Sequence, residues 1–385
     1  MITAGLAPRP PEPAMSLMMD AGEIDRSSTI RARHWHALDD GRIECDVCPR
    51  RCKLHDGQRG FCFIRARLGD ELVLTSYGRS SGFAIDPIEK KPLFHFLPGT
   101  SILSFGTAGC NLGCRFCQNW DVSQARDSDR LTAHASPESI ARIANATGCQ
   151  SVAFTFNDPV VFLEYAVDSA RACHDLGLAA VAVTAGWILP EARSDLFRWM
   201  DAANVDLKAF TEGFYRRLCG GSLAPVLETL VWIRKKTSVW LEITTLLIPG
   251  ENDSDEEIEA LSRWVVDSLG PDVPLHFTGF HPDDKMRGTS STAPSALTRA
   301  RRIAKRTGVR HAYTGNVDDP EGESTYCASC FELLIGRAGH AMTQWNLTPL
   351  GGCPACGEIL PGRFEVRPGS WGDRVEGVPQ RELVR

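Results

Sequence analysis

No stretch of this 385-residue sequence is apolar over the roughly 18 residues that a membrane helix needs. Membrane-spanning helices are therefore not expected. A basic stretch followed by an apolar one is also missing. Proline-rich sequence from Pro8 to Pro13 stands in its place, so the expected location is cytoplasmic rather than secreted. Charge of one sign is scarce too. Against 42 basic residues stand 48 acidic ones, a net charge of −6 with no block of like charge. That balance gives no reason to expect nucleic acid or an anionic membrane as a partner. Internal repeats are absent as well. What remains is an ordinary hydrophobic fraction of 43%, enough for a sizeable core. The length suits one large domain with one or two small additions.

Cysteine is abundant, and its placement is informative. Eleven of the 14 fall in three groups: Cys45, Cys48, Cys52 and Cys62; Cys110, Cys114 and Cys117; and Cys327, Cys330, Cys353 and Cys356. Cys149, Cys173 and Cys219 are solitary. Disulfide frameworks belong to short secreted chains, whereas clustered thiols in a reducing compartment bind metal.

Residues 1–38 lack apolar periodicity and are expected to be disordered. A four-cysteine metal module is expected over 39–80, too short and polar to fold without a ligand. From Ser101 onward short apolar strands alternate with helices, the pattern of parallel βα units. The helices include one opened by Ser136-Pro137 and one over Asp255–Leu269. Over 81–320 this predicts an α/β domain, a partial (β/α)6 TIM-like barrel, with its chemistry at the C-terminal strand ends. A zinc-ribbon-like module over 321–366 and a polar tail over 367–385 follow.

Cys110-Asn-Leu-Gly-Cys114-Arg-Phe-Cys117 directly follows the strand Ile102–Phe105. Three thiolates so spaced can wrap one cubane cluster and leave its fourth iron open, as a redox cofactor that binds substrate requires. Structural zinc would normally recruit a fourth ligand. This CxxxCxxC loop, with Phe116 before the last cysteine, resembles the signature of the radical S-adenosylmethionine (SAM) superfamily. The resemblance extends to Asp86-Pro-Ile-Glu-Lys-Lys-Pro-Leu-Phe-His-Phe-Leu-Pro-Gly99, Gly106-Thr-Ala-Gly-Cys110, Cys117-Gln-Asn-Trp120, Asp206-Leu-Lys-Ala-Phe-Thr-Glu-Gly-Phe-Tyr215 and Tyr313-Thr-Gly-Asn316. Together these are similar to the AmmeMemoRadiSam-system radical SAM enzymes, relatives of pyruvate formate-lyase activating enzymes. The resemblance covers roughly residues 40–366.

It implies an oxidoreductase with a [4Fe–4S] cluster on Cys110, Cys114 and Cys117. Electrons from reduced ferredoxin or flavodoxin would cleave SAM to a 5′-deoxyadenosyl radical. The radical would abstract hydrogen from a protein residue, as in glycyl-radical activases, or from a small molecule. Memo-like and AMMECR-type proteins are the implied partners. An electron-transfer or metal-scaffold protein without SAM turnover is the competing class. The superfamily's Gly-Gly-Glu turn, for which the close family tends to have Asn-Glu-Pro, is replaced by Phe156-Asn157-Asp158-Pro159, where Asp158 would accept from the SAM ammonium; the same residues also make an ordinary turn. Thr184 and Gly186 end the next strand and could approach SAM. Asp206 and Lys208 share one side of a strand end and are the catalytic candidates, with a structural ion pair as the plainer reading. Glu242, in an apolar strand, needs a partner. His276 and His281 are candidates to hold SAM, although a lone histidine is more often structural.

Of the outer groups, Cys327-x2-Cys330 and Cys353-x2-Cys356 resemble two zinc knuckles around a tetrahedral Zn²⁺. Phe331 replaces the usual glycine, which calls for a differently opened turn. Cys45-x2-Cys48-x3-Cys52-x9-Cys62 suits zinc or an auxiliary [4Fe–4S] cluster equally by count. No other feature marks an electron path, which favours zinc.

Overall fold

A computed structural model describes residues 28–126, 131 and 133–378. Its centre is a sheet of strands β1 (Gly82–Pro87), β2 (Ser101–Gly106), β3 (Ser151–Phe154), β4 (Ala179–Thr184), β5 (Ala202–Asp206), β6 (Trp240–Leu247), β7 (Leu275–Gly279) and β8 (Ala312–Gly315). Strands β2 to β8 pair side by side in sequence order, all parallel. β1 joins β2 antiparallel, and Glu376–Gly377 adds a short antiparallel strand outside β1. The fold is thus α/β with a mostly parallel sheet, left open: among the described residues no pairing joins β8 back to the far edge. Near-continuous burial along β2 and β3 is what a parallel sheet covered on both faces demands.

The connecting helices are α1 (Pro137–Ala146), α2 (Leu163–Asp175), α3 (Pro190–Phe197), α4 (Ala224–Lys236), α5 (Asp255–Leu269) and α6 (Pro294–Thr307). Ser136 and Ser254 cap α1 and α5 by accepting from the amides of Ser139 and Glu257. Three acids in the first turn of α5 face its positive end. The helices bury their apolar stripes against one face of the sheet, where Leu103, Phe105, Val152 and Phe154 belong to the main core. The other face is filled differently. Ile88, Leu93 and Phe96 of the segment before β2 pack on Ile102, Ala153, Val181 and Ala202. Two of those strand residues are alanine, and their small side chains leave room for this segment, which has only a short 3-10 turn over Ile88–Lys90, against the sheet. This segment is the floor under the C-terminal strand ends.

The segment expected to be disordered lies outside the described residues up to position 27. From residue 28 the structure corrects that expectation. Ile30–Arg31 pairs with Glu71–Leu74, and Trp35–Ala37 pairs with Ile43–Cys45. The cause is long-range. The Arg33 amide donates to Glu164 Oε1 at 2.6 Å, and its guanidinium meets Asp195 at 3.1 Å, on α2 and α3. The buried Arg65 guanidinium adds a bond to Glu164 Oε2 at 2.6 Å. No local periodicity signals such partners. In the expected polar tail the Trp371 amide donates to the Gly99 carbonyl, and Glu376–Gly377 pairs with β1.

Candidate functional site

At the C-terminal strand ends, loops after β2, β3, β4, β5 and β8 surround a cavity of about 300 Å³. Cys110, Cys114 and Cys117 stand on one wall, Asp158, Thr184, Asp206 and Lys208 on others. Backbone contacts fix the cysteine loop. Asn157 accepts from the Thr107 amide (2.9 Å) and donates to the carbonyls of Ala108 and Gly109 (3.2 and 2.8 Å). The amides of Gly113 and Arg115 donate to the carbonyls of Cys219 and Leu218. Gly106 is needed for this approach, because a Cβ there would lie 2.2 Å from the Thr155 carbonyl oxygen.

Burial shapes the electrostatics. It pushes the Cys110 thiol well up, helped by the Asp158 carboxylate. A hydrogen bond in which the Cys114 thiol donates to Cys219, and then burial, raise Cys114, while the Lys208 cation pulls it back. Burial also lowers Lys208, but Asp206 (Nζ–Oδ2 2.8 Å) and the thiols of Cys114 and Cys219 overcome it and hold the ammonium charged. Lys208 is therefore a buried cation set beside the thiols of Cys114 and Cys219. Asp158 is raised by burial, against the amides of Val160 and Ala185 and the Thr184 hydroxyl. Those bonds measure 3.1, 2.9 and 2.8 Å. Thr244 Oγ1, in the same cavity, is buried without any hydrogen-bond partner.

Residues 105–262 match the radical SAM superfamily. An uncharacterized protein of Methanocaldococcus jannaschii is 38% identical over 330 residues, covering 86% of this chain and 98% of its own. This chain carries a radical SAM superfamily domain. Solved structures similar to it include a domain of pyruvate-formate lyase-activating enzyme from Bacteroides vulgatus ATCC 8482 (17% identical, TM-score 0.39, covering 43% of this chain and 99% of that one). A radical SAM methyltransferase from Sphaerobacter thermophilus is 16% identical at a TM-score of 0.47, covering 74% and 76%.

Of the residues singled out for SAM in this radical SAM chain, Asn157, Asp158, Thr184, Asp206 and Lys208 line the cavity. Four others are placed elsewhere. Gly186 packs against Val205, to which a Cβ would come within 3.0 Å. His281 is exposed on the loop after β7. Glu242 and His276 pair at 2.7 Å in a layer below the cavity. Glu242 also accepts from the amides of Phe94 and His95 and from the Trp240 indole. Burial alone would raise its carboxyl, but these bonds and His276 hold it down at about 2. The acid in an apolar strand has its partners in the floor segment, not in a ligand. Sequence reasoning missed Cys219, a buried thiol beside Cys114 carried by the turn Tyr215–Cys219. It also passed over Thr244 and Lys90 in the cavity wall. Among the described residues no helix is long and apolar enough to cross a membrane.

The group Cys327, Cys330, Cys353 and Cys356 gathers all four thiols within 4.8 Å of one another. Cys327–Cys356 measures 3.5 Å and Cys330–Cys353 3.6 Å. Phe331 does not open its turn differently. At φ +64° it takes the same left-handed conformation as Gly357 (φ +80°) in the second knuckle. Its ring is 74% exposed, so the cost is backbone strain without a clash.

Proposed function

We propose that this radical SAM protein is an oxidoreductase in which Cys110, Cys114 and Cys117 bind three irons of a [4Fe–4S] cluster, and SAM occupies the adjoining cavity. The single observation that carries the reading is the placement of three thiols of one loop around a cavity at the C-terminal strand ends. No three of the described thiols there gather within 4.8 Å, as ligands of one ion would, so the set fits a cubane better than a lone metal. When bound, the cluster supplies the electron that cleaves SAM to methionine and a 5′-deoxyadenosyl radical, which takes hydrogen from substrate.

The chain's own residues bind and shield. The Lys208 ammonium, held by Asp206, offers a cation to the SAM carboxylate, and the orphan Thr244 hydroxyl offers a hydrogen bond. Asp158 orders the end of β4 through Thr184 and Ala185 while exposing its charge to the cavity. Phe116, Val183 and Leu246 keep water from the reacting centre. The inner face filled by residues 88–96 instead of a helix layer supports a partial barrel. Zinc in the C-terminal thiol group is also part of this proposal, because four sulfurs about a 2.3 Å ion stand roughly 3.8 Å apart. So are the AmmeMemoRadiSam assignment, with its Memo-like and AMMECR-type partners, and a substrate that is either a protein glycyl site or a small molecule.

Anaerobic reconstitution with iron and sulfide, then dithionite and SAM, is expected to yield 5′-deoxyadenosine. The yield should fall at least about 100-fold in Cys114→Ala. A loaded, reducible cluster that makes no product with or without candidate partners would favour an electron-transfer or scaffold role.

A further inference from the structure

The four N-terminal thiols differ from the C-terminal four in a way that their number does not reveal. Cys45, Cys48, Cys52 and Cys62 line an enclosed cavity of about 20 Å³ together with Arg65 and Asn111. The C-terminal four are the only cysteine group among the described residues whose thiols gather within 4.8 Å of one another. A tetrahedral ion draws its sulfurs to roughly 3.8 Å and leaves no space between them. Around a cubane each thiolate binds its own iron, so the sulfurs stand farther apart with the cluster filling the centre. All four cysteines are free, so no disulfide accounts for their convergence.

The surroundings fit an anionic cluster. Arg50 stacks 3.7 Å from the Phe61 ring centroid and borders the cavity, as does the buried Arg65, whose charge is shared with its partner Glu164. The Phe61 amide points at Cys52 Sγ from 3.5 Å, the kind of bond that tunes a cluster's potential.

The location gives the site a purpose. Arg50 donates to the Asn111 carbonyl through Nε (3.0 Å) and Nη2 (2.9 Å), and to the Gly220 carbonyl at 2.7 Å. The backbone of Gly109 lies so close to the Cys62 carbonyl that a Cβ would sit 1.9 Å from it. Cys110 and Leu112 face the large cavity while Asn111, between them, borders the small one. One chain segment separates the two spaces.

We infer that Cys45, Cys48, Cys52 and Cys62 hold a second [4Fe–4S] cluster, set against the loop that carries Cys110, Cys114 and Cys117. The site stands on its own four thiols and does not depend on how the first is read.

The test is the metal content of the intact, anaerobically reconstituted chain. It should hold about eight irons and eight sulfides, falling to about four in Cys48→Ser/Cys52→Ser. Cys110→Ala/Cys114→Ala should also retain about four, which separates this site from the first. Frozen-solution EPR of the reduced wild type should show a signal broadened by two neighbouring spins, narrowed in either double variant. Should the N-terminal double variant fail to fold, metal analysis of the wild type decides. About four irons with two zincs per chain, or an iron content that a folded Cys48→Ser/Cys52→Ser leaves unchanged, would overturn the inference.

Discussion

Two small cysteine modules flank one sheet, each with four thiols, and they sit at opposite ends of it. The C-terminal module grips the underside. Arg337 Nη2 donates to the Phe94 carbonyl at 2.7 Å, and His95 bonds the Pro361 carbonyl (2.6 Å) and the Tyr313 hydroxyl (2.5 Å). The N-terminal module covers the cavity side through Arg50 and Val47, whose carbonyl accepts from the Leu189 amide. In the C-terminal module two matched turns each present a pair of sulfurs and close on a point. In the N-terminal one, Cys45 ends a strand, Cys48 and Cys52 follow in the next loop and Cys62 comes from a later turn, and together they line a space. Ligand count is shared; loop geometry sets what each can hold.

The comparison is open to direct attack. The largest effect is expected from loss of the zinc proposed for the C-terminal group. Cys327→Ser/Cys356→Ser, or a strong chelator, should unfold the C-terminal module and lower the melting temperature by more than about 10 °C, the scale of several kcal/mol. Hydrogen exchange over residues 88–99 should rise with it, because that floor is held from below. An unchanged melt would mean that the module folds without an ion.

A middling effect is expected at Glu89, buried between the floor and Arg337. Burial pushes its carboxyl up to about 7, although the Arg337 charge opposes this. A raised folded pKa contributes stability that is present below the unfolded value near 4.5 and lost as pH climbs through about 7. Glu89→Gln should therefore match wild type near pH 4 and exceed it at pH 8, by on the order of 2–3 kcal/mol. Melts across that window check it; a pH-independent difference would remove the titration from the account.

The smallest effect concerns Phe331. Phe331→Gly relieves left-handed strain and should stabilise the zinc-loaded module by about 1 kcal/mol, read as slower zinc loss to a chelator. Faster loss would show that the exposed ring has a packing role.

Much of this was legible in the residues themselves. The capped helix over Asp255–Leu269 and the placement of Cys110–Cys117 after a buried strand follow from local periodicity and capping chemistry. What escaped was long-range. Cys219 reaches Cys114 from more than a hundred positions away, through a turn ended by the left-handed Gly220. Glu242 announced that it needed a partner, but not that two amides of the Phe94–His95 segment would supply it. Residues 28–38 are ordered by acids on α2 and α3, which no local pattern discloses. A sequence shows that a polar group must be satisfied; only the folded chain shows by which layer.

The thinness of the partition at Asn111 has an evolutionary corollary. Residues 110 and 112 line one space and residue 111 the other. Inserting or deleting a single residue there would exchange the tenants of both rooms at once. The stretch can drift in composition, but its length is under joint ownership.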